Sequence, residues 1–237
     1  MRSLLISPHG EVPMVGDTIA LVDPQPGPQT PIGPELIAQE VPRDQVAIYG
    51  SPQRPVESWA LRAIGIVRIA QQQRYHPTTG EATTLKLSGK DAGVSETSDG
   101  AEVFPRIDPA IICRVTSPDN HYLLLGRNAL RSHYYSLIAG YVGLGENIED
   151  ATVREVKEET DLDAYDISYV CSQSWPFSGA LMLGMQAHAS GEPYTRDGEL
   201  LEVSWFSARE IVHPDFALPQ PHSIAYRLIK HWINQHD

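Results

Sequence analysis

Arg154-Glu155-Val156-Lys157-Glu158-Glu159 sets three carboxylates, Glu155, Glu158 and Glu159, at i, i+3 and i+4, on one face of one helix. Like charges one turn apart repel, at roughly 0.2–0.5 kcal/mol per pair. A fold that keeps them must surround that face with water or place a cation among them. Clustered hard oxygen donors suit Mg²⁺ or Mn²⁺, which take one or two carboxylates and complete their shell with water and phosphate oxygens. The three residues alone leave both readings open, a solvated acidic face and a metal-binding one. Directly upstream, the glycine-containing loop Gly140-Tyr141-Val142-Gly143-Leu144-Gly145-Glu146 leads into the same helix.

The charge balance points the same way. Thirty acidic residues against 18 basic give a formal charge of −12. Such a chain repels duplex nucleic acid and anionic membrane, and neither is expected as a partner. The apolar share of 41% is ample for a core. The only cysteines, Cys113 and Cys171, lie in apolar, strand-like segments, so no disulfide framework is expected. The start, MRSLLIS, has too short an apolar run for a signal-peptide core, and no run approaches the roughly 18 residues of a membrane span. A soluble, cytoplasmic protein is expected.

Patterning divides the chain. The first 55 residues alternate short β-like runs, such as Thr18 to Val22, with turns, notably Asp23 to Pro34 with its five prolines. From Ser58 to Gln73 a helix is predicted, with Trp59, Leu61, Ile64, Ile66, Val67 and Ile69 on its apolar face. Residues 74–104 are polar and punctuated by Gly80, Gly89, Gly93 and Gly100, which reads as a connector or small irregular module. Beyond them, strands are predicted at Pro109–Val115, Tyr122–Gly126, Ser136–Val142, Ile167–Ser174, Ala180–Ala189 and Leu200–Phe206. Helices are predicted at Asn147–Thr160 and Ser223–Asn234. Many strands with few helices suggest an α/β sandwich, not a doubly wound sheet.

Gly140, Glu146, Arg154-Glu155-Val156 and Glu158-Glu159, at these spacings, resemble the Nudix hydrolase box. One residue departs: the glycine expected after Glu-Glu-Xaa is Asp161, followed by the expected aliphatic Leu162. Asp enters the left-handed conformation less readily than Gly, so an altered helix exit is expected. The resemblance implies that Glu155 and Glu159 bind metal, that Glu158 is a ligand or the base for water, and that Ala139 offers its carbonyl to metal. Arg154 and Glu146 would orient the loop against the helix. The implied reaction is attack of water on a diphosphate bridge.

Further segments resemble the NADH pyrophosphatase branch of that family. Ser172-Gln173-Ser174-Trp175-Pro176-Phe177-Ser178-Gly179-Ala180 is similar to its Ser-Gln-Pro-Trp-Pro-Phe-Pro-Xaa-Ser signature, with Ser174, Ser178 and Ala180 departing. Trp175 and Phe177 read as exposed loop aromatics able to pack on a nucleotide ring, or as core aromatics at a strand end. Phe104 and Tyr141 match two base-stacking aromatics that relatives draw from different subunits of a dimer, so a homodimer is implied. Glu199 matches a further metal ligand, and Ala225 lies in a stretch that contacts substrate through its backbone. The branch's four-cysteine zinc ribbon survives only as the glycine turns His76–Gly80 and Glu96–Gly100, without a cysteine. No structural zinc is expected there.

The fold expected is α/β (α+β), a Nudix α/β/α sandwich with a mixed sheet behind a smaller β-rich N-terminal domain. Its divisions are 1–73, the degenerate zinc-ribbon-like connector 74–104, and the Nudix domain 105–237. The function expected is cleavage of NAD(H) to nicotinamide mononucleotide and AMP with Mg²⁺ or Mn²⁺. The alternatives are hydrolysis of ADP-ribose, of another nucleoside diphosphate derivative or of NAD-capped RNA, and a nucleotide-sensing module without hydrolysis.

Overall fold

The computed structural model describes residues 1–87, 93–196 and 198–236, so Gly89 and the middle of the 74–104 connector lie outside the described residues. The chain divides into two units. The first is Met1–Ile107 together with Trp175–Ala180, and the second is Asp108–Ser174 with Leu181–Asp237.

The first unit runs β1 (Arg2–Ile6), β2 (Val12–Val15), β3 (Thr18–Ile19), β4 (Thr30–Gly33), β5 (Leu36–Glu40), α1 (Arg43–Tyr49), β6 (Ser51–Gln53), α2 (Ser58–Gln72), β7 (Thr84–Leu85), β8 (Ser95–Glu96) and β9 (Glu102–Val103). They form three three-stranded sheets, ordered β1-β5-β4, β3-β2-β6 and β7-β8-β9. The segment Leu4-Leu5-Ile6, too short to stand out in the sequence, is a buried strand parallel to β5. The proline-rich stretch supplies β4, which pairs antiparallel with β5 and shifts register between Pro31 and Gly33. Proline donates no hydrogen bond, which an edge strand such as β4 tolerates. In α2 the buried face is built on Ala60, Ala63, Ile64, Ile66, Val67 and Ile69. The predicted face therefore shifts, leaving Leu61 half-buried and Trp59 exposed.

The second unit runs β10 (Asp108–Thr116), β11 (Tyr122–Asn128), β12 (Ile138–Tyr141), α3 (Ile148–Thr160), β13 (Tyr165–Trp175), β14 (Ala180–His188), β15 (Leu200–Ser207), α4 (Ala208–Ile211) and α5 (Ile224–Ile233). Its sheet is ordered β13-β14-β10-β11-β15, with β12 also paired to β10. Alternation along β10 sends Ile111, Cys113 and Val115 into a core with Ala151 and Val156 of α3. Ile112 goes to the opposite core, with Leu228, Ile229 and Trp232 of α5. Two helices on two faces of one sheet make the α/β/α sandwich, and with the β-rich first unit the fold is α+β. Each fully buried Leu or Ile contributes roughly 1.5–3 kcal/mol relative to its exposed state. Among the described residues no helix is long and apolar enough to cross a membrane.

The helix carrying the three glutamates is stabilised at both ends. The Asn147 side chain accepts from the Asp150 N–H at 2.8 Å, and Glu149 and Asp150 stand in the positive first turn. At the exit Asp161 takes the left-handed conformation itself, with φ 58° and ψ 12°, so the expected departure from a glycine-like turn is not found. Cations hold it there: Lys157 Nζ lies 3.0 Å from its carbonyl and 3.3 Å from its carboxylate, and an Arg196 nitrogen lies at 3.2 Å. Asp161→Gly and Asp161→Ala both lose the carboxylate, but only Ala retains the left-handed strain of roughly 1–2 kcal/mol. The Ala variant is therefore expected to unfold at lower urea concentration than the Gly variant. Coincident urea melts for the two would contradict this account of the turn.

Candidate active site

The site is built where β12, the loop after it and α3 meet. Pairing of β12 with β10 puts Gly140 opposite Ile111, in a strand whose next turn of chain returns as the acidic helix. A side chain at residue 140 would be impossible with Glu155 as it stands: a Cβ there would lie 2.0 Å from the Glu155 carboxyl carbon and 2.1–2.2 Å from its oxygens. Gly140 is required for its missing side chain, because the Glu155 carboxylate lies flat against its backbone.

Arg154 ties the loop to the helix. Its Nε and one NH₂ group donate to the two oxygens of Glu146 at 2.8 and 2.9 Å, a bidentate pair. The same NH₂ group donates to the Tyr141 carbonyl at 2.9 Å, and the Gly143 N–H donates to Glu146 at 2.7 Å. Arg154, and secondarily the Gly143 amide, hold the Glu146 carboxyl at about 2. Glu146 thus stays ionised at any pH near neutral. What its ionisation lends to stability is complete above the ordinary carboxylate value and is lost as pH falls toward about 2.

The remaining terminal nitrogen of Arg154 donates to Glu155 at 2.8 Å and to Glu158 at 2.9 Å. This guanidinium is the cation among like charges that the sequence calls for. Burial pushes the Glu155 carboxyl up, Arg154 pulls it down, and the charges of Glu158 and Glu199 push it up again, for a net rise. Glu159 is 3% exposed and partnered, whereas Glu158 projects into solvent. Glu199 accepts from the Asn128 side-chain amide at 3.2 Å. No sequence signal marked Asn128; strand pairing of β11 with β15 brings it there.

The donor set suits a hard divalent cation: carboxylates on one helix face, mutually repelling, with a glycine leaving room above one of them. Among the described residues no three carboxylate, imidazole or thiol groups are already gathered on one point. One terminal nitrogen of Arg154 takes an oxygen from each of Glu155 and Glu158.

The other residues singled out from the sequence are distributed over both units. In the second unit Tyr141 is exposed and Ser172 is exposed, while Ala225 is buried at the start of α5. Gln173 spends its amide on that helix, accepting from the Ile224 N–H at 2.7 Å and donating to the His222 carbonyl at 3.0 Å. Ala139 pairs with Ile112. In the first unit Phe104 is exposed, Pro176 is buried, and Trp175 and Phe177 are half-buried instead of exposed. Phe177 packs on the core formed by β1, β2 and α2 and lies directly over Gly10, where a Cβ would approach its ring to 2.4 Å. The Arg54 guanidinium lies 4.7 Å from the Phe177 ring centre and 5.6 Å from that of Trp175.

Comparison with known proteins agrees with this geometry. Residues 106–228 match the model of the NUDIX domain. NAD-capped RNA hydrolase NUDT12 of Homo sapiens is 34% identical over 187 residues, covering 70% of this chain and 39% of its own. NAD-capped RNA hydrolase NudC of Mycobacterium tuberculosis is 41% identical over 116 residues, 47% of this chain and 36% of its own. The chain thus spans less than two fifths of the length of these curated relatives in the matched region. Among solved structures, a NUDIX hydrolase from Nitrosomonas europaea has the same fold, with a TM-score of 0.55 at 18% identity over 69% of this chain and 92% of that one. A matched domain over more than half of the chain, with its acidic helix and arginine-locked loop in place, makes this chain a member of the Nudix family.

Proposed function

We propose that the protein hydrolyses the diphosphate bond of NAD(H), releasing nicotinamide mononucleotide and AMP. The observation that carries the reading is the Glu155 carboxylate laid against Gly140 and braced by Arg154, in a chain whose relatives are named for NAD-capped RNA. Glu155, Glu158, Glu159, Glu199 and the Ala139 carbonyl would hold Mg²⁺ or Mn²⁺. Bound there, the cation supplies neutralisation of the diphosphate oxygens and a more acidic water. Glu158, whose side chain is more exposed than that of Glu155, would serve as a metal ligand or as the base that takes the proton of the attacking water as the new P–O bond forms and the bridging one breaks. Glu146 and Arg154 fix the loop and helix as one body. Phe104 and Tyr141 would stack on the two bases, a reading supported by their exposure to solvent. Ser172, Gln173, Trp175, Pro176 and Phe177 belong to the same substrate set through the signature they resemble, and Ala225 through the separate stretch that contacts substrate by its backbone. A cytoplasmic homodimer completes the proposal.

The names of the relatives favour one second reading, cleavage of the NAD cap of RNA. Product analysis over NADH, NAD⁺, ADP-ribose and an NAD-capped oligoribonucleotide, with each metal, tests both. Release of nicotinamide mononucleotide from NADH or the cap is expected. Rapid hydrolysis of ADP-ribose with neither dinucleotide form cleaved would overturn the NAD assignment.

The reading includes a zinc-free connector, supported by how its two turns are held. His76 Nδ1 accepts from the Thr78 and Thr79 N–H groups at 3.3 and 3.2 Å. The Thr97 hydroxyl donates to Asp99 at 2.5 Å, and the Ser98 hydroxyl donates to Glu81 at 2.5 Å. These side chains are committed to the turns. Elemental analysis of untagged protein is expected to find no stoichiometric zinc, with a melting temperature indifferent to chelator. One zinc per chain would refute it.

A further inference from the structure

On the face of the second unit's sheet opposite α3, β10 carries a charge that the Nudix chemistry does not use. Arg114 is 8% exposed. One terminal nitrogen donates to His231 Nδ1 at 3.0 Å and the other to Gln186 Oε1. Arginine has no acceptor, so His231 receives at Nδ1 and carries its own proton on Nε2; both partners are neutral. The Arg114 Nε–H has no partner among the described residues. Among the described residues no carboxylate forms an ion pair with this guanidinium, which never gives up its proton at physiological pH. A buried charge without a counter-charge is costly, and proteins ordinarily pair it.

Beside Arg114 opens a cavity of about 220 Å³, lined also by Thr116, Asn120, Asp166, Gln186, Ala187 and His188. Its polar lining is rich in donors. Asn120 uses its oxygen to accept from the Trp232 indole N–H at 3.0 Å, which leaves its NH₂ group. His188 Nδ1 is engaged with the Thr116 hydroxyl at 3.0 Å, which leaves Nε2 without a partner among the described residues. The one acidic group is Asp166, exposed at the rim. The volume exceeds several waters, at roughly 30 Å³ each, and suits a tetrahedral oxyanion with part of what it is attached to.

We propose that this cavity is a phosphate site, distinct from the metal helix, that takes inorganic phosphate or the terminal group of a phosphomonoester. Arg114 supplies the charge and the Asn120 amide a donor; His188, in the tautomer whose Nδ1 accepts from the Thr116 hydroxyl, supplies another at Nε2, and Asp166 weakens binding from the rim. The two sources share one chemistry, and the proposal does not depend on the NAD reading.

Thermal melts of the full chain without divalent metal test it, in phosphate, in ribose 5-phosphate and in chloride at matched ionic strength. The melting temperature is expected to rise with phosphate or ribose 5-phosphate and not with chloride, because a ligand specific to the native state stabilises by mass action. A larger rise with ribose 5-phosphate would mark the ester as the ligand, and an equal or smaller one the free ion. Arg114→Gln is expected to abolish the rise. Should that variant not fold, His188→Gln and Asp166→Asn retain the test with opposite signs. The first should need more phosphate for the same rise, and the second less, by roughly 5-fold for a removed charge at the rim. Glu155→Gln should keep the rise, since it lies on the other face. The site is refuted by an equal rise in chloride, by a rise that survives both Arg114→Gln and His188→Gln, by no tightening in Asp166→Asn, or by loss of the effect in Glu155→Gln.

Discussion

Glu155→Gln and Glu159→Gln are each expected to lower turnover by at least about 10²-fold, which corresponds to about 2.7 kcal/mol of lost transition-state stabilisation. Each keeps the shape of the side chain and removes one charge from the proposed metal set. For Glu155 the structure adds a second expectation. Its carboxyl is raised by burial, so the folded chain binds that proton more tightly than the unfolded one does. The contribution of such a group to stability is present at low pH and is lost as pH rises through its folded value. At neutral pH, therefore, Glu155→Gln should melt at or above the wild-type temperature while being nearly inactive. Calorimetry and an assay on the same preparation check both halves. Near-normal turnover in both variants would remove the metal assignment from this helix.

Gly140→Ala should inactivate the protein almost as thoroughly, by about 10²-fold or more in turnover, without adding or removing any charge. The new Cβ would lie 2.0 Å from the Glu155 carboxyl carbon, so one of the two must leave. The carboxylate is the free end of a flexible side chain, whereas residue 140 is held in a strand paired to Ile111. Glu155 is thus the group that moves, and a displacement of an ångström or more at a catalytic ligand is costly to rate and cheap to folding. A variant that folds with ordinary cooperativity, loses activity and binds Mn²⁺ weakly is the expected result. Full activity in Gly140→Ala would show that the Glu155 position is not the working one.

How much of this was legible in the sequence follows from the range of the interactions concerned. The helix and its glutamates were readable because their relation is local, set by a 3.6-residue period and by Asn147 as cap. Strands β10 and β11 are readable because they are runs of buried aliphatics, whereas β13 has no buried residue and is readable only from its β-branched and aromatic residues. In the first unit the same method missed β1, since Leu4-Leu5-Ile6 is short, and β4, since prolines mask an edge strand. The α2 face was misjudged for a different reason. Alanine counts little in an apolar pattern, yet Ala60 and Ala63 are the residues that let the helix sit close. For Trp175 and Phe177 the sequence leaves exposed and core readings both open, because it says nothing about Gly10, which is more than 160 residues away and makes room for the Phe177 ring. The partnership of Arg154 with four groups at once was legible only as far as Glu146, and Arg114 not at all, because an isolated arginine in a strand carries no pattern.

The tip of the hairpin between β13 and β14 has a bearing on how this molecule can be taken apart. Trp175–Ala180 is counted with the first unit, and Phe177 is part of that unit's core together with Leu4, Val12 and Ala63. The polypeptide therefore enters the first unit twice, once as its opening hundred or so residues and once as a six-residue return. A protease nick after Ile107 would not yield an N-terminal fragment with its own complete interior, for the aromatic plug would remain on the other piece. Autonomy of such a fragment would require the ring to be replaced, with the space over Gly10 filled from within the fragment itself. The two halves are in this sense one heritable object: neither can be shuffled, excised or circularly rearranged at a single joint without the other losing or keeping something foreign.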